Sequence, residues 1–184
     1  MSMPDYVKRA LLCFCHVLKS KSQRSPHRWT EPKYGAKVQY ATTDQSPLLD
    51  PTDITFVQQV LGTFLYYARA VDNTMLVAIN ELGTQQSKGT KNTLQAVAQL
   101  LDYAASNPDA EVRFVASNMC LHIESDASYL CAPKARSGAT GYHFLSWKPA
   151  DQTKPSGPLD PPVPNNGPIN IPCILMKEVL ASTA

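Results

Sequence analysis

The sequence predicts an α+β protein, in which a small helical bundle is followed by an incomplete β-sheet with long proline-rich loops. Apolar residues between positions 54 and 106 recur at about the 3.6-residue period of amphipathic helices. After Glu111 the pattern changes to the alternation that is typical of strands. Eight of the 15 prolines fall within residues 149–172, which predicts a loop or linker there.

The first 53 residues are predicted to form a short helix and a long connector. Apolar residues recur at helical spacing from Met3 to Leu18, and a proline near the start suits a first helical turn. Residues 19–53 have no sustained period and are basic, then rich in proline. Between Lys8 and Lys37, eight lysines and arginines stand against one acid. This segment could follow a phosphate backbone, or it could be a solvated basic connector.

Residues 54–108 predict a bundle of three helices joined by short connections. Asp50 and the residues after it supply cap groups for a helix that runs from Ile54 to Ala68. A second helix is predicted over residues 74–84, and a third from the residue after Thr90 to Ser106. An Asn-Pro-Asp sequence ends the third helix, because the residue before a proline disfavours the helical region. The apolar stripes of the three helices are predicted to be core.

Residues 111–184 contain the predicted strands. The candidates cover residues 112–115, 119–125 and 140–147, and a weak strand over 169–175 is interrupted by a proline. A last helix is predicted to begin near Lys177.

Composition limits the classes of protein that the chain can belong to. A formal net charge of +2 is too small to identify a nucleic-acid-binding protein by itself. The five cysteines are scattered without the spacing of zinc ligands and without a signal peptide, which predicts reduced thiols in an intracellular protein, cytoplasmic or nuclear. No apolar run approaches the ~20 residues that span a bilayer, so no membrane partner is predicted.

One carboxylate is the candidate catalytic group. The alternating run 121–129 is predicted to present Asp126 at the end of a strand, with Glu124 on the same face. Glu124 could assist Asp126, but an exposed glutamate at a strand end is the more common case. Two-metal hydrolysis of a phosphodiester needs several carboxylates around Mg²⁺ ions ~3.5–4 Å apart, which a single aspartate cannot supply. A surface-turn aspartate would produce the same sequence pattern.

Two cations flank the turn that follows the first predicted strand. Lys134 and Arg136 could contact a nucleic-acid backbone through charge-assisted hydrogen bonds. The alternative is a basic turn with no ligand, which is the usual role of such residues.

Several short sequence segments, taken in order along the chain, resemble one family. These segments are Met3–Leu11, Tyr34–Tyr40, Val60–Leu76, Ser125–Leu130, Pro133–Ser137, Gly167–Ile169 and Met176–Ser182. They resemble the polymerase polyprotein of copia-type long-terminal-repeat retrotransposons, a class of transposable element, where reverse transcriptase passes into ribonuclease H. The most specific of them is Val60–Leu76.

The resemblance implies a division of the chain. Residues 1–18 correspond to the end of the palm, 19–53 to a connector, and 54–108 to the thumb or connection helices. Residues 111–184 correspond to the start of a ribonuclease H-like domain, which is expected to be truncated.

The resemblance also implies an activity for the parent polyprotein: RNA-directed DNA synthesis and Mg²⁺-dependent cleavage of RNA in RNA–DNA hybrids. Asp126 matches the first of the family's four ribonuclease H carboxylates and would be a catalytic metal ligand. The remaining carboxylates are expected beyond Ala184, and the polymerase aspartates upstream of Met1. The chain by itself is therefore expected to be inactive and to bind no Mg²⁺ tightly.

Partners and alternative functions follow from the same comparison. The expected partners are RNA–DNA hybrid or other nucleic acid and the remainder of the polyprotein. One alternative is an active nuclease that another chain completes. The other is a non-catalytic helical module that binds nucleic acid or protein.

Overall fold

The described residues form an α+β fold with four α-helices and a small antiparallel sheet. A computed structural model describes residues 1–17, 21–28, 44–132, 136–146 and 166–175, with the backbone alone at 129–132, 136 and 175. The helices in these ranges are α1 (Tyr6–Cys13), α2 (Pro51–Ala70), α3 (Leu76–Gly83) and α4 (Lys91–Ser106), with a 3₁₀ turn (Asn73–Met75) before α3. The strands are β1 (Cys120–Ala132), β2 (Arg136–Ser146), β3 (Pro168–Asn170) and β4 (Cys173–Leu175).

Helix α1 is shorter than the predicted span of residues 3–18. Asp5 and Cys15 have positive φ angles of 59° and 49°, so the backbone leaves the right-handed helical region beyond each end. After the helix, the His16 amide donates to the Leu11 carbonyl at 3.0 Å, which satisfies one of the last free carbonyls. The helical spacing of apolar residues past Cys13 was therefore not a sufficient indicator of helix.

The observed bounds of the bundle helices agree better with the predicted ones, because the residues that cap these helices lie close to them in sequence. The Asp50 carboxylate accepts the Asp53 amide at 2.8 Å and begins α2 three residues earlier than predicted. Thr90 and Thr93 form a capping box at the start of α4, whose predicted bounds are confirmed. The predicted helix over 74–84 is divided into the 3₁₀ turn and α3.

A single hydrophobic cluster holds the four helices together. Phe64 of α2 and Leu100 of α4 are fully buried in it, and Val7 joins α1 to the same cluster. Tyr6 stacks on Tyr67 with ring centroids 5.5 Å apart and donates its hydroxyl to the Thr63 carbonyl at 3.0 Å. These contacts fix the short helix α1 against α2, because a helix of this length is not stable alone.

The sheet has β2 at its centre. Strand β1 pairs with β2 in antiparallel register from Cys120–Ser146 to Ser128–Gly138. Strands β3 and β4 both pair with the other side of β2, and Pro172 lies between them, as the interrupted third strand predicted. Strand β4 packs against α3, where the Asn80 amide donates to the Cys173 carbonyl at 2.6 Å.

The predicted strand at residues 112–115 was wrong, because its backbone groups bond to two separate segments. The Val112 amide donates to the Met1 carbonyl, whereas the Val115 amide donates to the side chain of Asn166. Glu111 forms only an isolated bridge with Ser2. A strand needs one continuous partner, which this segment does not have. The predicted turn at residues 133–135, most of the loop predicted over 149–172 and the helix predicted after Lys177 lie outside the described residues.

Candidate functional site

The β1–β2 hairpin positions the carboxylate that the sequence singled out. Asp126 lies opposite Thr140 within β1, not at a strand end as predicted, because β1 continues to Ala132. Its side chain is exposed, and one carboxylate oxygen accepts the Ala127 amide at 2.9 Å. Asp126 is therefore accessible to solvent ions and to ligands.

Glu124 shares the sheet face of Asp126, as the two-residue spacing predicted. It lies opposite Tyr142 and is also exposed. Burial raises the pKa of the Tyr142 hydroxyl, and the negative charge of Glu124 raises it further. The Tyr142 hydroxyl donates to the Asn166 carbonyl at 2.9 Å, which holds this aromatic side chain in place.

The described residues do not show the two predicted cations of the hairpin at this site. Lys134 lies outside the described residues, and for Arg136 the structure describes the backbone, which pairs with Ala132. His122 stacks on Phe144 at a centroid distance of 5.2 Å, on the face that also carries Glu124. In the part of the chain that the structure describes, no three histidines, cysteines or acids are close enough together to hold a metal ion.

These carboxylates do not fit a two-ion centre. Glu124 and Asp126 are two residues apart on a strand, which places their Cα atoms about 7 Å from each other. Two exposed carboxylates can share one hydrated Mg²⁺, because that ion often binds through one or two carboxylates and water. A two-ion site needs further ligands on the opposite side of the ions.

A second surface carries the basic residues of the N-terminal segment. Residues 21–28 lie along α4, where the Gln23 amide donates to Ser106 Oγ at 2.9 Å and Arg28 donates to Gln95 at 2.8 Å. The side chains of Lys21, Arg24 and Arg28 are exposed. The sequence indicated a basic segment, but only the contacts with α4 show that part of it is held on the bundle. We call residues 21–28 on α4 the basic strap.

A polar groove lies beside the basic strap and was not predicted. Its volume is about 670 Å³, and its lining includes His27, Arg28, Asp44, Glu81 and Asn92. These residues lie far apart in sequence, so no local pattern could have indicated the groove.

Asp44 fixes one wall of this groove to the start of α4. Its carboxylate accepts the Thr90 hydroxyl, the Ser46 amide at 2.9 Å and the Asn92 side chain at 2.9 Å. The hydrogen bond from Thr90, followed by that from the Ser46 amide, lowers the pKa of Asp44 to about 2. A carboxylate at a helix N-terminus is further favoured by the helix dipole.

A buried pair also joins the end of α1 to α4. His16 Nε2 lies 2.8 Å from Asp102 Oδ1, and both side chains are largely buried. The two residues are 86 positions apart, so no local sequence pattern indicated that they meet. The pair connects the segment after α1 with α4, beside the basic strap.

The described helices include none with both the length and the apolar composition to cross a membrane. No family model, no curated protein and no solved structure matches this chain.

Proposed function

We propose that the chain is a segment of a copia-type retrotransposon polymerase polyprotein, in which thumb or connection helices pass into the start of a ribonuclease H-like domain. The order of elements supports the proposal: a bundle of α2, α3 and α4 precedes an antiparallel hairpin. The hairpin presents Asp126 on its first strand, as the resemblance requires. The single observation that carries the proposal is this placement of an exposed aspartate opposite Thr140.

The role that we propose for this segment is binding of nucleic acid without cleavage. The parent activity would be RNA-directed DNA synthesis with Mg²⁺-dependent cleavage of RNA in hybrids. The described carboxylates of β1, Glu124 and Asp126, cannot by themselves surround two Mg²⁺ ions. The basic strap supports a binding role, because its three exposed cations lie on one element of the surface.

Cleavage is tested with an RNA–DNA hybrid in the presence of Mg²⁺. We expect the wild-type chain and the Asp126→Asn variant to cleave at the same background rate. Asp109→Asn is the matched control, because Asp109 is an exposed aspartate outside the hairpin. Hybrid cleavage by the wild type that is lost in Asp126→Asn but kept in Asp109→Asn would show an active nuclease and refute the inactive assignment.

Binding is tested by measuring the affinity for the same hybrid across a range of salt concentrations. Each phosphate contact contributes a slope of about −0.9 to the logarithm of the affinity against the logarithm of salt on B-form DNA. Arg24→Gln should make the slope less negative by about one contact. Lys88→Gln removes an exposed charge from the loop before α4 and should leave the slope unchanged. Equal slopes for all three proteins would exclude the basic strap from the contact.

A further inference from the structure

The outer edge of β1 has no strand partner among the described residues. Strand β2 pairs with one side of β1, and the sheet order then continues away from β1 to β3 and β4. The opposite side of the sheet is different, because β4 packs against α3. Strand β1 is also the longest, with 13 residues against three in each of β3 and β4. In the part of the chain that the structure describes, its outer row of peptide groups is unpaired, and an edge of this kind can pair with another strand.

Exposed apolar side chains lie along the same strand. Leu121 and Ile123 are 56% and 59% exposed, on the sheet face opposite to Glu124 and Asp126. An extended edge with apolar residues is a template for strand addition, which native proteins usually block with a lysine, a proline or a bulge. Residues Cys120–Ser128 of β1 pair with β2 without a register shift and contain neither lysine nor proline.

We propose that β1 pairs with β1 of a second copy of the chain, antiparallel about a two-fold axis that passes through Ile123. A two-fold axis makes the same strand edge serve both partners, so no second binding surface is required. The pairing would join the two sheets into one continuous sheet.

Charge complementarity favours this register over the three that follow it along the strand. An axis at Glu124, at Ser125 or at Asp126 would place acidic side chains directly opposite each other, which is destabilising. An axis at Ile123 instead places Glu124 of each copy opposite His122 of the other, and Ile123 opposite Ile123. Leu121 then lies opposite Ser125. The favourable acid–imidazole pair forms twice because of the symmetry.

The first test is the molar mass of the full chain in solution, measured by sedimentation over a range of concentrations. We expect a dimer for the wild type and a monomer for Ile123→Lys at the same concentration, because two lysines would face each other at the axis. Ile174→Lys is the matched control. Ile174 is 58% exposed on the same sheet face but belongs to β4, so this variant should remain a dimer. A monomeric wild type, or a dimer that is insensitive to Ile123→Lys, would overturn the proposal.

The second test fixes the register, because an intermolecular disulfide forms only where two thiols face each other across the paired strands. Ile123→Cys places two thiols directly opposite each other, within the Cα separation that a disulfide spans. Ser125→Cys is the control, because its two copies would lie four residues apart along the strands, about 13 Å, which a disulfide cannot bridge. Both variants retain the same native cysteines, so the background oxidation is equal. We expect a disulfide-linked dimer with Ile123→Cys in excess of Ser125→Cys, and the opposite order, or equal amounts, would overturn the register.

Discussion

Replacing Asn166 with alanine should destabilise the sheet more than any other single truncation of a polar side chain in it. Asn166 is only 5% exposed and makes four hydrogen bonds through its amide group. Its nitrogen donates to the carbonyls of Val115 and Leu145 at 2.9 and 2.8 Å. Its oxygen accepts the amides of Val115 and Gly167, each at 2.9 Å. The side chain therefore joins the irregular segment before β1 to the end of β2.

The expected magnitude follows from these four bonds. Each contributes about 1 kcal/mol net, and a buried group left without a partner costs about 1–3 kcal/mol. Water can replace some of the lost partners, because Val115 is 49% exposed. We therefore expect Asn166→Ala to lower the free energy of unfolding by about 2–4 kcal/mol, a large part of the ~5–15 kcal/mol typical of a domain.

The assay is urea unfolding followed by circular dichroism, together with hydrogen exchange of the Val115 amide. Asn170→Ala is the matched control, because Asn170 is exposed and its amide lies 3.4 Å from His143 Nδ1. The control should change stability by less than about 0.5 kcal/mol. A loss no larger than the control's in Asn166→Ala, with unchanged protection of the Val115 amide, would refute the reasoning.

Asn166→Asp separates hydrogen bonding from volume. The new carboxylate would keep the acceptor but place a charged oxygen against the carbonyls of Val115 and Leu145. Burial raises the pKa of such a carboxyl in the folded state above its unfolded value, so the destabilisation is greatest at neutral pH. The deficit relative to the wild type should shrink as pH falls through the folded pKa. A pH-independent deficit would contradict this account.

Three further predictions concern the bundle. Leu100 is fully buried, so Leu100→Ala should lower the free energy of unfolding by about 2–5 kcal/mol in urea unfolding. Leu12 is 78% exposed, so Leu12→Ala should lower it by less than about 0.5 kcal/mol. Similar losses in the two variants would contradict the burial of Leu100 in the core. Hydrogen bonds lower the folded pKa of Asp44 to about 2. The contribution of Asp44 to stability is therefore complete above its unfolded pKa of about 4 and is lost as pH falls toward 2. In thermal unfolding, the Asp44→Asn variant should lose less stability than the wild type over this pH range. Burial raises the pKa of the Tyr67 hydroxyl, so the contribution of this group to stability is complete below about pH 10 and is lost at higher pH. In an ultraviolet titration, the Tyr67→Phe variant should lack one phenol that ionises at a higher pH than the others.

The candidate site was predictable in part. The alternation around Asp126 correctly indicated a strand followed by a second strand, and the two-residue spacing correctly placed Glu124 on the same face. The position of Asp126 at a strand end was wrong, because pairing with β2 extends β1 past it. Pairing depends on the partner strand, so the length of a strand is not written in its own residues.

The basic strap shows the same limit of prediction from sequence. The excess of lysine and arginine was visible in the sequence, but composition alone left both a solvated connector and a phosphate-binding surface open. Its attachment depends on Gln23, Ser25 and Arg28 meeting polar groups of α4 more than 60 residues away. Such contacts carry no periodic signal, and they became visible only in the folded chain.

The sequence by itself determined the α+β class and the local structure of the bundle. The bounds of α4, the cap at Asp50 and the interruption at Pro172 all depend on residues within about one helical turn of one another. The tertiary structure decided where distant backbone groups find partners. Residues 112–115 have the composition of a strand, yet Met1 and Asn166 take their hydrogen bonds and no ladder forms. The physical reason is that every buried peptide group must be satisfied, while the group that satisfies it can come from anywhere in the chain.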